Sequence, residues 1–93
     1  MPYIRQAARN RFDDLLSHLN KSLPCDAGEL NYLITKICDR YLTVKNPNYA
    51  VINEIVGVVE CVKQEFYRRV ASPYEDVKIR TNGDVYGDVY EIK

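Results

Sequence analysis

Ile52, Ile55, Val59, Val62 and Phe66 recur at intervals of 3, 4, 3 and 4 residues, the spacing that keeps apolar side chains on one face of an α-helix. No proline interrupts the stretch from Tyr49 to Val70, so the chain has to accommodate a helix of about 22 residues, roughly 33 Å long at the usual rise. Val51, Val56, Val58 and Val70 flank the seam. A rod of that length with one apolar side needs other helices laid against it.

Two earlier stripes supply them. Phe12, Leu15, Leu16, Leu19 and Leu23 predict an amphipathic helix over Ala7–Ser22, stopped by Pro24. Leu30, Leu33, Ile34, Ile37 and Tyr41 predict a second, starting after Asp26 and reaching about Leu42. Asp26 is a good N-cap, and Glu29 three residues on completes a capping-box pattern. Between this helix and the long one, Asn46, Pro47 and Asn48 mark a loop.

Beyond the long helix, Ser72 as N-cap, Pro73 at the first helical position and acidic Glu75 and Asp76 predict a short fourth helix. It runs from Pro73 to about Thr81 and ends at Asn82 and Gly83. The tail reads GDVY twice, at Gly83–Tyr86 and Gly87–Tyr90. Its valines and tyrosines suit an extended arm or short strand, with Tyr3 and Ile4 as pairing partners. The expected fold is all-α: a compact bundle of three main helices plus a short fourth, a single domain over residues 1–82, and an extended tail over 83–93.

Charge narrows the function. Thirteen Lys and Arg balance 13 Asp and Glu, which argues against polymeric nucleic acid and anionic membranes as partners. With 46% hydrophobic and 28% charged residues the chain is a folded globular type. A chain of 93 residues buries only about 60–65% of its unfolded surface, so assembly into a homo-oligomer is expected to supply the rest. Cys25, Cys38 and Cys61 form no CxxC pair and read as free thiols in a reducing cytoplasm. Charges within five residues of the start, and no apolar run after them, agree with a cytoplasmic location.

The sequence holds no HExxH, P-loop, GxGxxG or GxSxG motif, and His18 is its one histidine. No catalytic residue, metal site or cofactor is expected, and the chain reads as a non-enzyme. The pairs Asp13/Asp14 and Glu75/Asp76 are accounted for by favourable placement at helix N-termini. Eight tyrosines and no tryptophan suit interfaces and pockets, where a ring is buried and its hydroxyl stays paired.

Two surfaces stand out. On the reverse of the long helix, Glu54, Gly57, Cys61, Gln64 and Arg68 form a second row. Gly57 costs a helix interior about 1 kcal/mol relative to alanine, and with Cys61 one turn on it leaves a notch. Glu54, Gly57 and Cys61 are therefore the candidate interface, where a second copy of the helix or a flat ligand could lie. Further on, Lys63, Arg68, Arg69, Lys78 and Arg80 alternate with Tyr67 and Tyr74, a combination suited to stacking on a base and meeting phosphate. Glu60, Glu65, Glu75 and Asp76 are interspersed, and a solvated helix with intrahelical ion pairs accounts for the same pattern. The candidate ligand-binding residues are Lys63, Gln64, Tyr67, Arg68 and Tyr74, with Asn31 and Tyr32 from the second helix.

GELNYLIT (Gly28–Thr35), NEIVGVVECVKQEFYRRV (Asn53–Val70), PYEDVKI (Pro73–Ile79), NGDVY (Asn82–Tyr86) and the PYI opening resemble a family of small uncharacterised phage and bacterial proteins. The second GDVY unit lies beyond the family's usual end. The resemblance implies a setting, a phage or prophage genome and a host cytoplasm, rather than a chemistry. Together these features predict a non-enzymatic accessory protein that sequesters a small nucleotide-derived molecule, such as a host immune signal. The alternative is a protein-interaction module acting through a helical oligomer interface. A nucleotide-processing enzyme drawing on Glu60, Glu65 or Asp76 ranks third.

Overall fold

The computed structural model describes residues 2–87. Every regular element in them is helical, so the chain is all-α as its apolar stripes require. Tyr3 and Ile4 belong to no strand, and no strand forms among the described residues. All of the second GDVY unit except Gly87 lies outside them. The chain divides into two units, one ending at Val59 and the other beginning at Glu60.

In the first unit, the helix expected over Ala7–Ser22 is two helices, α1 (Gln6–Asn10) and α2 (Asp13–Lys21). The break has an electrostatic reason. Asp13 and Asp14 occupy the first turn of α2, where unpaired N–H groups and the positive end of the helix dipole favour carboxylates. A continuous helix would strand both in mid-helix. Phe12 leaves the helical region at φ −101°, ψ 5°, and the Arg11 guanidinium lies 5.5 Å from its ring centre.

Helix α3 (Ala27–Val44) starts as its sequence dictates. The Asp26 carboxylate accepts from the Glu29 N–H at 2.8 Å, and the Glu29 side chain accepts from the Cys25 N–H at 2.8 Å. This is the capping box, with the return bond displaced one residue upstream. After Val44 the chain turns through Asn46 in the left-handed region at φ 67°, which asparagine tolerates better than most residues. Asn48 accepts from the Val51 N–H at 3.0 Å and so starts α4 (Tyr49–Phe66).

A single hydrogen bond reports the chain reversal. The Tyr41 hydroxyl donates to Glu54, 13 residues later. Continuous helix would hold those residues about 20 Å apart, so α4 folds back on α3 within this unit. Leu33, Cys38 and Leu42 on α3, and Val51 and Ile55 on α4, become half-buried. No described residue becomes fully buried. Ile52 and Val59, expected to face a core, stay exposed, whereas Ile55, Val58 and Val59 line an apolar groove with Ile37, Cys38 and Tyr41.

The second unit contains the larger departure. The long helix was expected to reach Val70, with Ser72 capping a separate helix from Pro73. Instead α4 stops at Phe66, residues Tyr67–Ala71 form a π-helical turn, and α5 covers Ser72–Asn82. Ser72 is itself helical at φ −60°, ψ −49°, and Ala71 before it offers no side-chain cap. Pro73 explains the widened turn. A proline in a regular helix removes one N–H and drives its ring into the carbonyl four residues back, here that of Arg69. The π turn displaces that carbonyl, and the Ser72 N–H reaches the Tyr67 carbonyl five residues back. Helix α5 ends where expected, at Gly83 with φ 89°.

Candidate functional site

The expected interface residues lie on α4. Glu54 accepts the Tyr41 hydroxyl within the first unit, so its carboxylate is turned toward α3 rather than away from it. This bond, with the carboxylate charge, raises the Tyr41 pKa above its ordinary 10.0, since both favour the neutral phenol. A Cβ on Gly57 would meet nothing within 4 Å, so the helix is thin there and open. Cys61 is exposed.

The expected ligand residues are distributed over both units. On α3, the Asn31 side-chain oxygen accepts from Thr35 at 3.1 Å, and Tyr32 projects 67% exposed. In the second unit the cations already have carboxylate neighbours. Lys63 lies 3.7 Å from Glu60, Gln64 donates to the same carboxylate at 3.2 Å, and Arg68 pairs with Glu65 at 2.8 Å. These are one-turn pairs, exposed except for the half-buried Glu65, each worth a few tenths of a kcal/mol. They lower the charge that Lys63 and Arg68 would present to a phosphate. Tyr74 carries the Lys78 ammonium 5.4 Å from its ring centre.

Tyr67 is placed by the π turn. Its hydroxyl donates to Glu75 at 2.6 Å, eight residues on. Eight residues of α-helix would leave the two about 80° apart around the axis, whereas the π turn takes up one extra residue and brings them onto one face. The Glu75 hydrogen bond is the main cause, followed by the Glu75 charge, of a Tyr67 pKa raised above 10.0. Desolvation and Tyr86 add to the shift in the same sense.

Tyr67 and Glu75 also belong to a concavity that the sequence did not announce. The chain after Gly83 lies along α5, and the space between has a volume of about 470 Å³. Ser72, Asp76, Lys78 and Ile79 line it from the helix, and Asp84, Val85 and Tyr86 from the segment beyond. The Asp84 carboxylate accepts from the Tyr86 N–H at 3.0 Å, an Asx turn that orients the segment. An Asn-Gly helix stop followed by Asp-x-Tyr was the available signal. That signal marks an extended arm or short strand, and nothing local in it shows which way the chain leaves the helix.

Among the described residues no group of three or more His, Cys, Asp or Glu side chains could hold a metal ion. No helix among them is long and apolar enough to cross a membrane. No curated protein and no solved structure matches the chain. The family described as "Domain of unknown function (DUF6899)" matches residues 1–85, nearly the whole length, and the chain belongs to that family.

Proposed function

We propose that the chain is a non-enzymatic interaction module whose helices complete their apolar packing against further copies of the same chain. The carrying observation is exposure: not one described residue is buried, while Leu15, Val62 and Phe66 stand 62%, 58% and 64% exposed. Isolated Leu and Phe side chains on a surface are ordinary, but whole amphipathic stripes left open are not.

Charge supports a second copy as the occupant. With 13 positive and 13 negative side chains, two copies do not repel each other as like-charged molecules would. The Ile37–Val59 groove between α3 and α4 is apolar, and α2 presents leucines of the kind that fill such grooves. Sedimentation equilibrium of the purified chain tests the reading. A mass of two or more protomers at micromolar concentration supports it, and a monomer that is cooperatively folded when dilute overturns it.

Sequestration of a nucleotide-derived signal, in the phage setting that the sequence resembles, ranks second. Its support is the pair of phenol rings, Tyr67 and Tyr86, at a concavity of small-ligand size. Against it, Lys63 and Arg68 are engaged by Glu60 and Glu65, and the concavity itself is lined by Glu75, Asp76 and Asp84 against Lys78 alone, which disfavours a phosphate. Calorimetric titration with AMP and with cyclic dinucleotides tests it. Heat of binding that disappears in Tyr67→Ala supports it over assembly alone. Either activity is placed in the cytoplasm, where Cys25, Cys38 and Cys61 stay reduced.

A further inference from the structure

We propose that the concavity between α5 and the segment after Gly83 binds an organic cation, an alkylammonium or guanidinium group on an aliphatic stem. This does not depend on self-assembly. Its volume, about 470 Å³, falls within the range of small-ligand pockets. Tyr67, Ile79 and Tyr86 give it an apolar wall with two phenol rings, and ring faces attract cations.

The charges of the lining select the sign of the ligand. Glu75, Asp76 and Asp84 oppose a single ammonium, that of Lys78, and Lys78 is drawn over the Tyr74 ring, which lies outside the lining. Glu75 is held by the Tyr67 hydroxyl at 2.6 Å and Asp84 by the Tyr86 N–H at 3.0 Å. Each is oriented through one bond and keeps lone pairs for a ligand donor. Asp76 has no partner among the described residues. A phosphate entering here would face a net negative wall, so an anion is rejected where a cation is accepted.

Two sources carry the same chemistry, a free polyamine and a basic side chain of another protein. Calorimetric titration of the full chain with spermidine, and separately with an acetylated and amidated Gly-Lys-Gly peptide, distinguishes them. The expected result is saturable binding of at least one, with Kd between about 1 µM and 1 mM. The affinity falls as salt rises, and falls about tenfold on joint Asp76→Asn and Asp84→Asn replacement. Both side chains are exposed, and circular dichroism checks that the helices persist. Should the double variant lose helix, each single replacement reads the same loss at about threefold. No saturable heat from either probe up to about 5 mM, unchanged affinity in the variants, or preferential binding of AMP overturns the proposal. Self-association measured by sedimentation is unaffected by any of these outcomes.

Discussion

The Tyr41 hydroxyl donates to the Glu54 carboxylate across 13 residues of sequence, joining α3 to α4 where they flank the Ile37–Val59 groove. The bond requires a protonated phenol, and the carboxylate raises the Tyr41 pKa above 10.0. A group whose folded pKa is raised contributes stability that is fully present below its unfolded value and is lost as pH rises through the folded value. Stability should therefore decline above pH 10.0, as the phenolate breaks the bond and repels Glu54. Urea unfolding followed by circular dichroism across that range should show a shallower decline for Tyr41→Phe and for Glu54→Gln than for the parent chain. Equal slopes in all three would mean that the bond does not join the helices in solution.

Helix α3 depends on its first turn. Asp26 accepts from the Glu29 N–H while Glu29 reaches back to Cys25. Asp26→Ala should lower stability by about 1 kcal/mol, the usual consequence of losing an N-cap, and Asp26→Asn by less, since an amide oxygen still accepts. Midpoints of urea unfolding with unchanged slopes would check both.

Gly57 separates the helix from the assembly. In the single chain a Cβ there meets open space, so Gly57→Ala should favour the helix locally by about 1 kcal/mol and raise the helical signal of the dilute chain. If another copy packs against this notch, Gly57→Leu should weaken self-association in sedimentation velocity while leaving the helical signal intact. A bulky residue tolerated with no change in mass would move the interface away from Gly57.

The parts of the fold that were legible in the sequence are those governed by local rules. Asp26 with Glu29 and Gly83 after Asn82 each answer a backbone need within a few residues, and each works in the structure as the sequence indicates, whereas Asn48, legible only as part of a loop, also caps α4. The break at Arg11–Phe12 was hidden because the leucine stripe continues across it, and the preference of Asp13 and Asp14 for a helix start outweighed that continuity. Pro73 was ambiguous in principle: after Ser72 it suits a first helical position, yet it also fits a helix interior if the preceding turn widens. That one ambiguity obscured the site as well. Tyr67 and Glu75 share a face only because of the extra π residue, and periodicity counted at 3.6 places them apart. Lys63 and Arg68 were visible as cations, but which neighbouring acid each would choose was not.

The π turn yields the last expectation. Pro73 provides the physical reason for Tyr67–Ala71 to widen, because a regular turn would set its ring against the Arg69 carbonyl. In Pro73→Ala the new N–H can bond that carbonyl and the turn can tighten to an α-helix. Every residue after it would then rotate by about 100° relative to Tyr67, carrying Glu75 off the shared face. Two readouts follow together. Helical ellipticity should increase, and the Tyr67 phenol, which Glu75 now holds above 10.0, should titrate closer to that value in an ultraviolet difference titration against Tyr67→Phe. A gain in helix with no change in the titration would mean that Tyr67 finds Glu75 without the extra residue, and that the turn is not what builds the floor of the α5 concavity.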